Sequence, residues 1–348
     1  MQGLPHVGRR GALRQKLIVL FAGLGLANIA VWAWALAVFH DKPVLLGSAV
    51  LAFSLGLRHA VDADHIAAID NSTRKLMQEG QRPVAVGLFF SLGHSTIVTL
   101  MSIAVGFATV AVSARFEDFK AVGGLISTSA SALFLFLLAI FNIFVFISVW
   151  KSFKALNNGE KISDDDFDLL LNKRGFLACL FRPVFAMVRK SWHLFFVGLL
   201  FGLGFDTATE VALFGISATQ AADGASFAAL LVFPALFTAG MSLVDTADGV
   251  LMLGAYGWAY MKPVRKIYYN LTITAVSVIV ALAVGGIETL GMIGDKFELH
   301  GPFWDGIGVL NENFGLLGYG IIVLFAASWL ISIAIYRFKG FDRLEAEA

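Results

Sequence analysis

The sequence is poor in charge and in cysteine. Of its 348 residues only 15% are Asp, Glu, Lys or Arg, against about 25% in an ordinary soluble domain. Basic and acidic side chains nearly cancel, 26 to 25, for a net charge of +1. That balance leaves no basic surplus for nucleic acid and no acidic excess for a disordered tail. The single cysteine, Cys179, excludes an internal disulfide framework and any zinc or iron–sulfur centre built on cysteines. No G-x-x-x-x-G-K-[ST] run occurs, so the chain does not itself hydrolyse ATP through a P-loop.

What is present is apolar surface. Hydrophobic residues make up 58% of the chain and the mean hydropathy is +0.77. A soluble protein of this length would not be so apolar. The fold class expected is all-α, a polytopic membrane protein. About 20 apolar residues are needed to cross hydrocarbon as a helix. Eight segments qualify: 17–39, 44–69, 84–112, 121–149, 194–220, 226–256, 268–293 and 315–336. The first is longer than a signal-peptide core and reads as a span.

Orientation follows from Lys and Arg in the short loops. With the N-terminus inside, every Lys or Arg outside the spans faces the cytoplasm except Lys42, Arg115, Lys120 and Lys296. The domain plan expected is a cytoplasmic tail over 1–16, an eight-helix transmembrane unit over 17–336 and a cytoplasmic tail over 337–348. The longest loop, 150–193, is cytoplasmic in this plan; its acidic run Asp164, Asp165, Asp166 and Asp168 reads as a solvated stretch.

Two short matches point to an internal repeat. Leu55-Gly56-Leu57 in the second span resembles Leu203-Gly204-Phe205 in the fifth, and Gly93-His94-Ser95 in the third faces Gly240-Met241-Ser242 in the sixth. The second and fifth spans run in opposite directions, so the repeat is inverted, as in many secondary transporters.

Polar groups stand where they are costly. A charge at the bilayer centre costs about 2.5–3.5 kcal/mol even on the insertion scale. The second span nevertheless carries Arg58, His59, Asp62, Asp64 and His65; the third, His94 and Ser95; the fifth, Asp206 and Glu210; the sixth, Asp245 and Asp248. Asn28 lies near the middle of the first span and Asn142 in the fourth. Six carboxylates against one guanidinium cannot be solvated by lipid. Protons, a cation, or both must offset them. His59, Asp64, His65 and His94 make a mixed nitrogen and oxygen set without sulfur, which suits Ni, Co, Zn or Fe better than Mg or Ca. On an ideal helix His59 and His65 point about 120° apart. Both reach one ion only if the span breaks between them, although Leu55–Asp70 contains no proline.

Four motifs then carry a resemblance. They are Leu57-Arg58-His59-Ala60-Val61-Asp62-Ala63-Asp64-His65-Ile66, Ser91-Leu92-Gly93-His94-Ser95, Leu203-Gly204-Phe205-Asp206-Thr207-Ala208-Thr209-Glu210 and Gly240-Met241-Ser242-Leu243-Val244-Asp245-Thr246-Ala247-Asp248-Gly249. In this order they resemble the nickel/cobalt transporter family, and most of all its bacterial high-affinity nickel permeases. The resemblance implies uptake of Ni²⁺, and less of Co²⁺, through the cytoplasmic membrane. It implies no enzyme activity, no cofactor beyond the transported ion, and lipid and a divalent metal ion as partners. Neither a nucleic acid nor an obligatory ATPase belongs to it. Carried over, His59, Asp64 and His65 handle metal, with His94 beside them. Asn28 and Val61 bear on metal choice. Arg58, Asp62, Ser95, Asp206, Glu210, Asp245 and Asp248 are expected to support the site or line the path. Rival readings are a carrier of another divalent metal (Co²⁺, Zn²⁺ or Mn²⁺), a membrane metalloenzyme, and a metal-binding subunit of an ATP-driven importer. The enzyme reading lacks histidines: only His59, His65 and His94 lie within spans.

Overall fold

Lipid tails are as apolar as leucine, so helices in a bilayer associate by close packing and polar contacts rather than by hydrophobic exclusion. The computed structural model shows this chain using both. Its described residues are 6–107, parts of 125–154, 188–203, 208–222, 225–259 and 263–338. All regular structure among them is helical. The chain is an all-α polytopic membrane protein.

The helices are α1 (His6–Phe39), α2 (Pro43–His59), α3 (Ala63–Gln78) and α4 (Val86–Phe107), then α5 (Ser131–Phe144). A short turn, Ser191–His193, leads into α6 (Leu194–Phe201). They are followed by α7 (Ala208–Ala222), α8 (Phe227–Ala259), α9 (Pro263–Lys296), α10 (Pro302–Glu312) and α11 (Phe314–Phe338). Among the described residues α1, α4, α8 and α9 are long and apolar enough to span on their own, and the bent pairs α2–α3 and α10–α11 bring the number to 6. The expected spans 121–149 and 194–220 each run over residues outside the described ones. So does the acidic run of the long loop.

Two boundaries differ from the sequence reading. Helix α1 starts at His6, well before residue 17, because the helix continues past the apolar stretch into its basic flank. Helix α10 lies between the expected spans 268–293 and 315–336. Proline in its first turn and Asp305 nearby start it, and Trp304 and Asn311 seat it on Gly294 and Gly291 of α9.

Helix α8 is the centre of the bundle, packed by α1, α2, α3, α4 and α7. Two close crossings join motif-bearing spans. At one, Gly56 of α2 lies against the Phe237 backbone and Gly240 of α8 against Phe53. At the other, Gly93 of α4 lies against the Phe195 backbone and Gly198 of α6 against Phe90. No side chain fits at either crossing. Gly93 and Gly240 are equivalent positions in the suggested repeat, and each seats its helix on the neighbouring motif-bearing span. Around the crossings the aromatic core includes the Phe39–Phe233 stack, with ring centroids 5.4 Å apart.

Candidate metal site

The α2–α3 span breaks inside the membrane. The two helices meet at 53°. The Ala60 N–H still bonds the Gly56 carbonyl, but the Asp62 N–H bonds His59 at 2.9 Å, a tight last turn. Asp62 is then extended, at φ −64° and ψ 147°. Aspartate is a favoured N-cap, yet here its carboxylate makes no cap bond. It turns back to His59 instead, with Oδ2 3.0 Å from Nδ1. The extended backbone at Asp62 makes the break without a proline.

The break brings both histidines of the span together. Ring centroids are 4.7 Å apart for His59 and His65, 4.8 Å for His59 and His94, and 4.9 Å for His65 and His94. One nitrogen from each ring lies within 4.8 Å of the others. All three residues are buried. Nε2 of His59 and Nε2 of His94 are 3.0 Å apart. At metal–nitrogen distances of about 2.1 Å, two ligands at a right angle stand about 3.0 Å apart.

The outer partners orient the rings. Nδ1 of His59 donates to Asp62 and to the Thr209 hydroxyl at 3.1 Å. Nδ1 of His65 donates to both carboxylate oxygens of Asp245 at 3.4 Å. With the proton held on Nδ1, Nε2 keeps its lone pair for a metal. Nε2 of His65 is buried and unpartnered. His94 differs: its Nε2 faces Glu210 Oε1 at 2.9 Å as well as His59. Glu210 Oε1 also lies 3.9 Å from His59 Nε2. Phe90 and Phe237 pack on the histidine rings and keep the site dry.

Other residues named from sequence take different places. Asp64 stands in the first turn of α3 beside the triad, outside the group of converging nitrogens. Ser95 is buried next to His94 with its hydroxyl unpartnered. Arg58 is exposed and forms no ion pair among the described residues. Val61 packs in a core with Ile66, Leu135 and Phe325, on the far side of the break from the imidazoles. Asn28 donates to the Leu24 and Ala239 carbonyls. It lines an apolar cavity of about 500 Å³ between α1, α4 and α8 rather than the triad. Asp248 lies one turn beyond Asp245 on α8 and bonds none of the histidines. Asp206 lies outside the described residues.

Sequence reasoning missed Thr209 as a histidine partner. Its spacing was a usable signal, since it precedes Glu210 on the same motif. Thr209→Val is expected to raise the metal concentration for half-maximal uptake about fivefold, the worth of one buried hydrogen bond near 1 kcal/mol. Unchanged concentration dependence in a transport assay would show that Asp62 alone holds His59.

Comparison with known proteins gives one family model and several relatives. The family model described as high-affinity nickel-transport protein matches residues 45–335. The high-affinity nickel transport protein of Cupriavidus necator is 55% identical over 338 residues, covering 97% of this chain and 96% of its own. The high-affinity nickel-transport protein NixA of Helicobacter pylori strain J99 is 41% identical, over 94% of this chain and 97% of its own. The cobalt transport protein NhlF of Rhodococcus rhodochrous is 40% identical, over 85% and 84%. No solved structure matches.

Proposed function

The chain belongs to the high-affinity nickel-transport family, and on that footing we propose that it is a secondary permease carrying Ni²⁺, and to a lesser extent Co²⁺, into the cell. The single observation that carries the reading is the buried triangle of imidazoles at a break in a membrane span, with Nε2 of His65 unpartnered among the described residues. Imidazole nitrogen selects Ni²⁺ and Co²⁺ over Mg²⁺ and Ca²⁺. The triad holds a metal as cargo, with His59, His65 and His94 as ligands and Asp64 and Glu210 supplying negative charge beside it. The chain acts as a carrier and not as an enzyme, and it works without an ATPase partner.

The family relation supports a bacterial cytoplasmic membrane, and the Lys and Arg distribution supports both termini inside. Residues 17–336 are the transport unit in this reading, and the loop 150–193 is cytoplasmic. Ni²⁺ then enters from the side where α2 begins and leaves toward the end of α3. At the triad it replaces the proton shared between the Nε2 atoms of His59 and His94. Glu210, 2.9 Å from His94, is placed to receive that proton. A divalent ion moving down a potential gains roughly 4.6 kcal/mol per 100 mV. At about 1.4 kcal/mol per tenfold that sustains a gradient of roughly 2,000-fold without a coupled ion. The two glycine crossings give α2 and α4 their pivots against α8 and α6.

The test is ⁶³Ni²⁺ uptake at submicromolar metal by cells expressing the chain, beside cells without it. Expected is uptake that resists millimolar Mg²⁺, yields to graded Co²⁺, and persists when the pH gradient is collapsed with the potential held. Preference for Zn²⁺ or Mn²⁺ over Ni²⁺ would overturn the cargo assignment. Loss of uptake with the pH gradient would overturn the potential as sole driver.

A further inference from the structure

Below the triad lies a second buried polar layer that the nickel site does not use. On α3, Asp70, Thr73 and Arg74 share one face, at spacings of three and four residues, and none of them is exposed. Asp70 accepts from the Tyr256 hydroxyl of α8 and from Ser277 Oγ of α9 at 3.0 Å. Asn142 of α5 closes the layer by donating to Asn71. Asp248 of α8 lies within electrostatic reach of Asp70. Its neighbour Gly249 lies so close to α3 that a side-chain carbon there would sit 3.4 Å from Ile69 and 4.0 Å from Thr73 Oγ1. The charges of Asp248 and Asp70 act on one another.

This layer is incomplete as it stands. Asp248 Oδ2 and Thr73 Oγ1 are buried without a hydrogen-bond partner among the described residues. So are Nε and Nη1 of Arg74, whose remaining nitrogen reaches only Asn71, at 3.4 Å. Buried polar atoms in native structures are nearly always partnered, and a charge within a membrane is costly. Unmatched oxygens on two helices that pack closely at Gly249, beyond the triad along α3, suit a cation.

We propose that Asp70, Asp248 and Thr73 form a second, all-oxygen site that receives a partly hydrated divalent cation from the histidines before its release to the cytoplasm. The direction of travel rests on the nickel-uptake reading above. The ligand chemistry differs from that of the triad. Carboxylate and hydroxyl oxygens hold Ni²⁺ less tightly than imidazole and admit Mn²⁺ and Mg²⁺ as well. Arg74 sets the affinity. Two carboxylates and one guanidinium leave a net charge of −1, so a divalent ion overcompensates it and departs readily. The site is thus a low-affinity step between a selective site and water.

The experiment is equilibrium binding of ⁶³Ni²⁺ to the purified full chain in detergent. Two classes of site are expected, a tight one and a weaker one, and excess Mn²⁺ should empty only the weaker. Asp248→Asn should weaken the second class at least tenfold and leave the tight class intact; Asp248→Glu should restore it. His65→Ala should do the reverse, removing the tight class alone. A weaker class that is missing from the wild type, or unchanged in Asp248→Asn, overturns the proposal. Loss of both classes together in Asp248→Asn also overturns it, because the residues would then belong to one site. Absence of the tight class with the weaker one present and Asp248-dependent supports the second site and refutes the nickel reading of the triad instead.

Discussion

Cells carrying His59→Ala or His65→Ala are expected to take up at least about 100-fold less Ni²⁺ than wild type at submicromolar metal. Removing an outer partner of a metal-binding histidine costs about 10–100-fold, and removing the histidine itself must exceed that. The geometry predicts the grading. His59 and His65 present Nε2 inward because Asp62 and Asp245 hold their Nδ1 protons. Asp62→Asn and Asp245→Asn keep shape and an acceptor oxygen while removing the charge. They should fall within the 10–100-fold range, above the alanine variants. Uptake normalised to membrane-inserted protein reads the series. His59→Ala transporting within a few-fold of wild type would remove the triad from the mechanism. Asp62→Asn as damaging as His59→Ala, with the protein present, would make the carboxylate a ligand rather than an orienting group.

The second large effect is expected from a single methyl group. Gly56→Ala puts a carbon into the Phe237 backbone carbonyl. A backbone cannot swing aside as a side chain does, so α2 must lift from α8. Overpacking in a tight core costs about 1–3 kcal/mol where side chains can adjust, and more where they cannot. Since α2 ends at His59, the shift also breaks the triangle. Membranes should yield little monodisperse protein on size exclusion, and uptake should fall below a tenth of wild type. Gly215→Ala is the control. It sits within α7, with nothing within 4 Å of the added carbon, and alanine favours a helix interior by roughly 0.5–1 kcal/mol. Gly56→Ala behaving like Gly215→Ala would mean the crossing is loose enough to absorb a side chain.

The membrane class and the need to offset carboxylates within the spans, by protons, a cation or both, follow from sequence alone. They depend on composition along the chain: apolar runs as long as a bilayer is thick, and carboxylates and imidazoles within those runs. The histidines could be picked out for the same reason, since a titratable group in lipid has few uses. What sequence could not decide was how side chains on different helices meet. His59 and His65 are wrongly phased on a straight helix, and only the turn at Ala60–Asp62 brings them together. The partners on the histidine nitrogens come from α7 and α8, some 150 to 180 positions away, a separation that no local pattern encodes. Asn28 and Val61 are expected to bear on metal choice; packing places Asn28 on the cavity between α1, α4 and α8 and Val61 in the cluster with Ile66, Leu135 and Phe325. Asp70, Thr73 and Arg74 follow the expected span 44–69 and read from sequence as cytoplasmic loop. They are interior because α8 and α9 close over them, and burial is a property of the assembled bundle rather than of any segment within it.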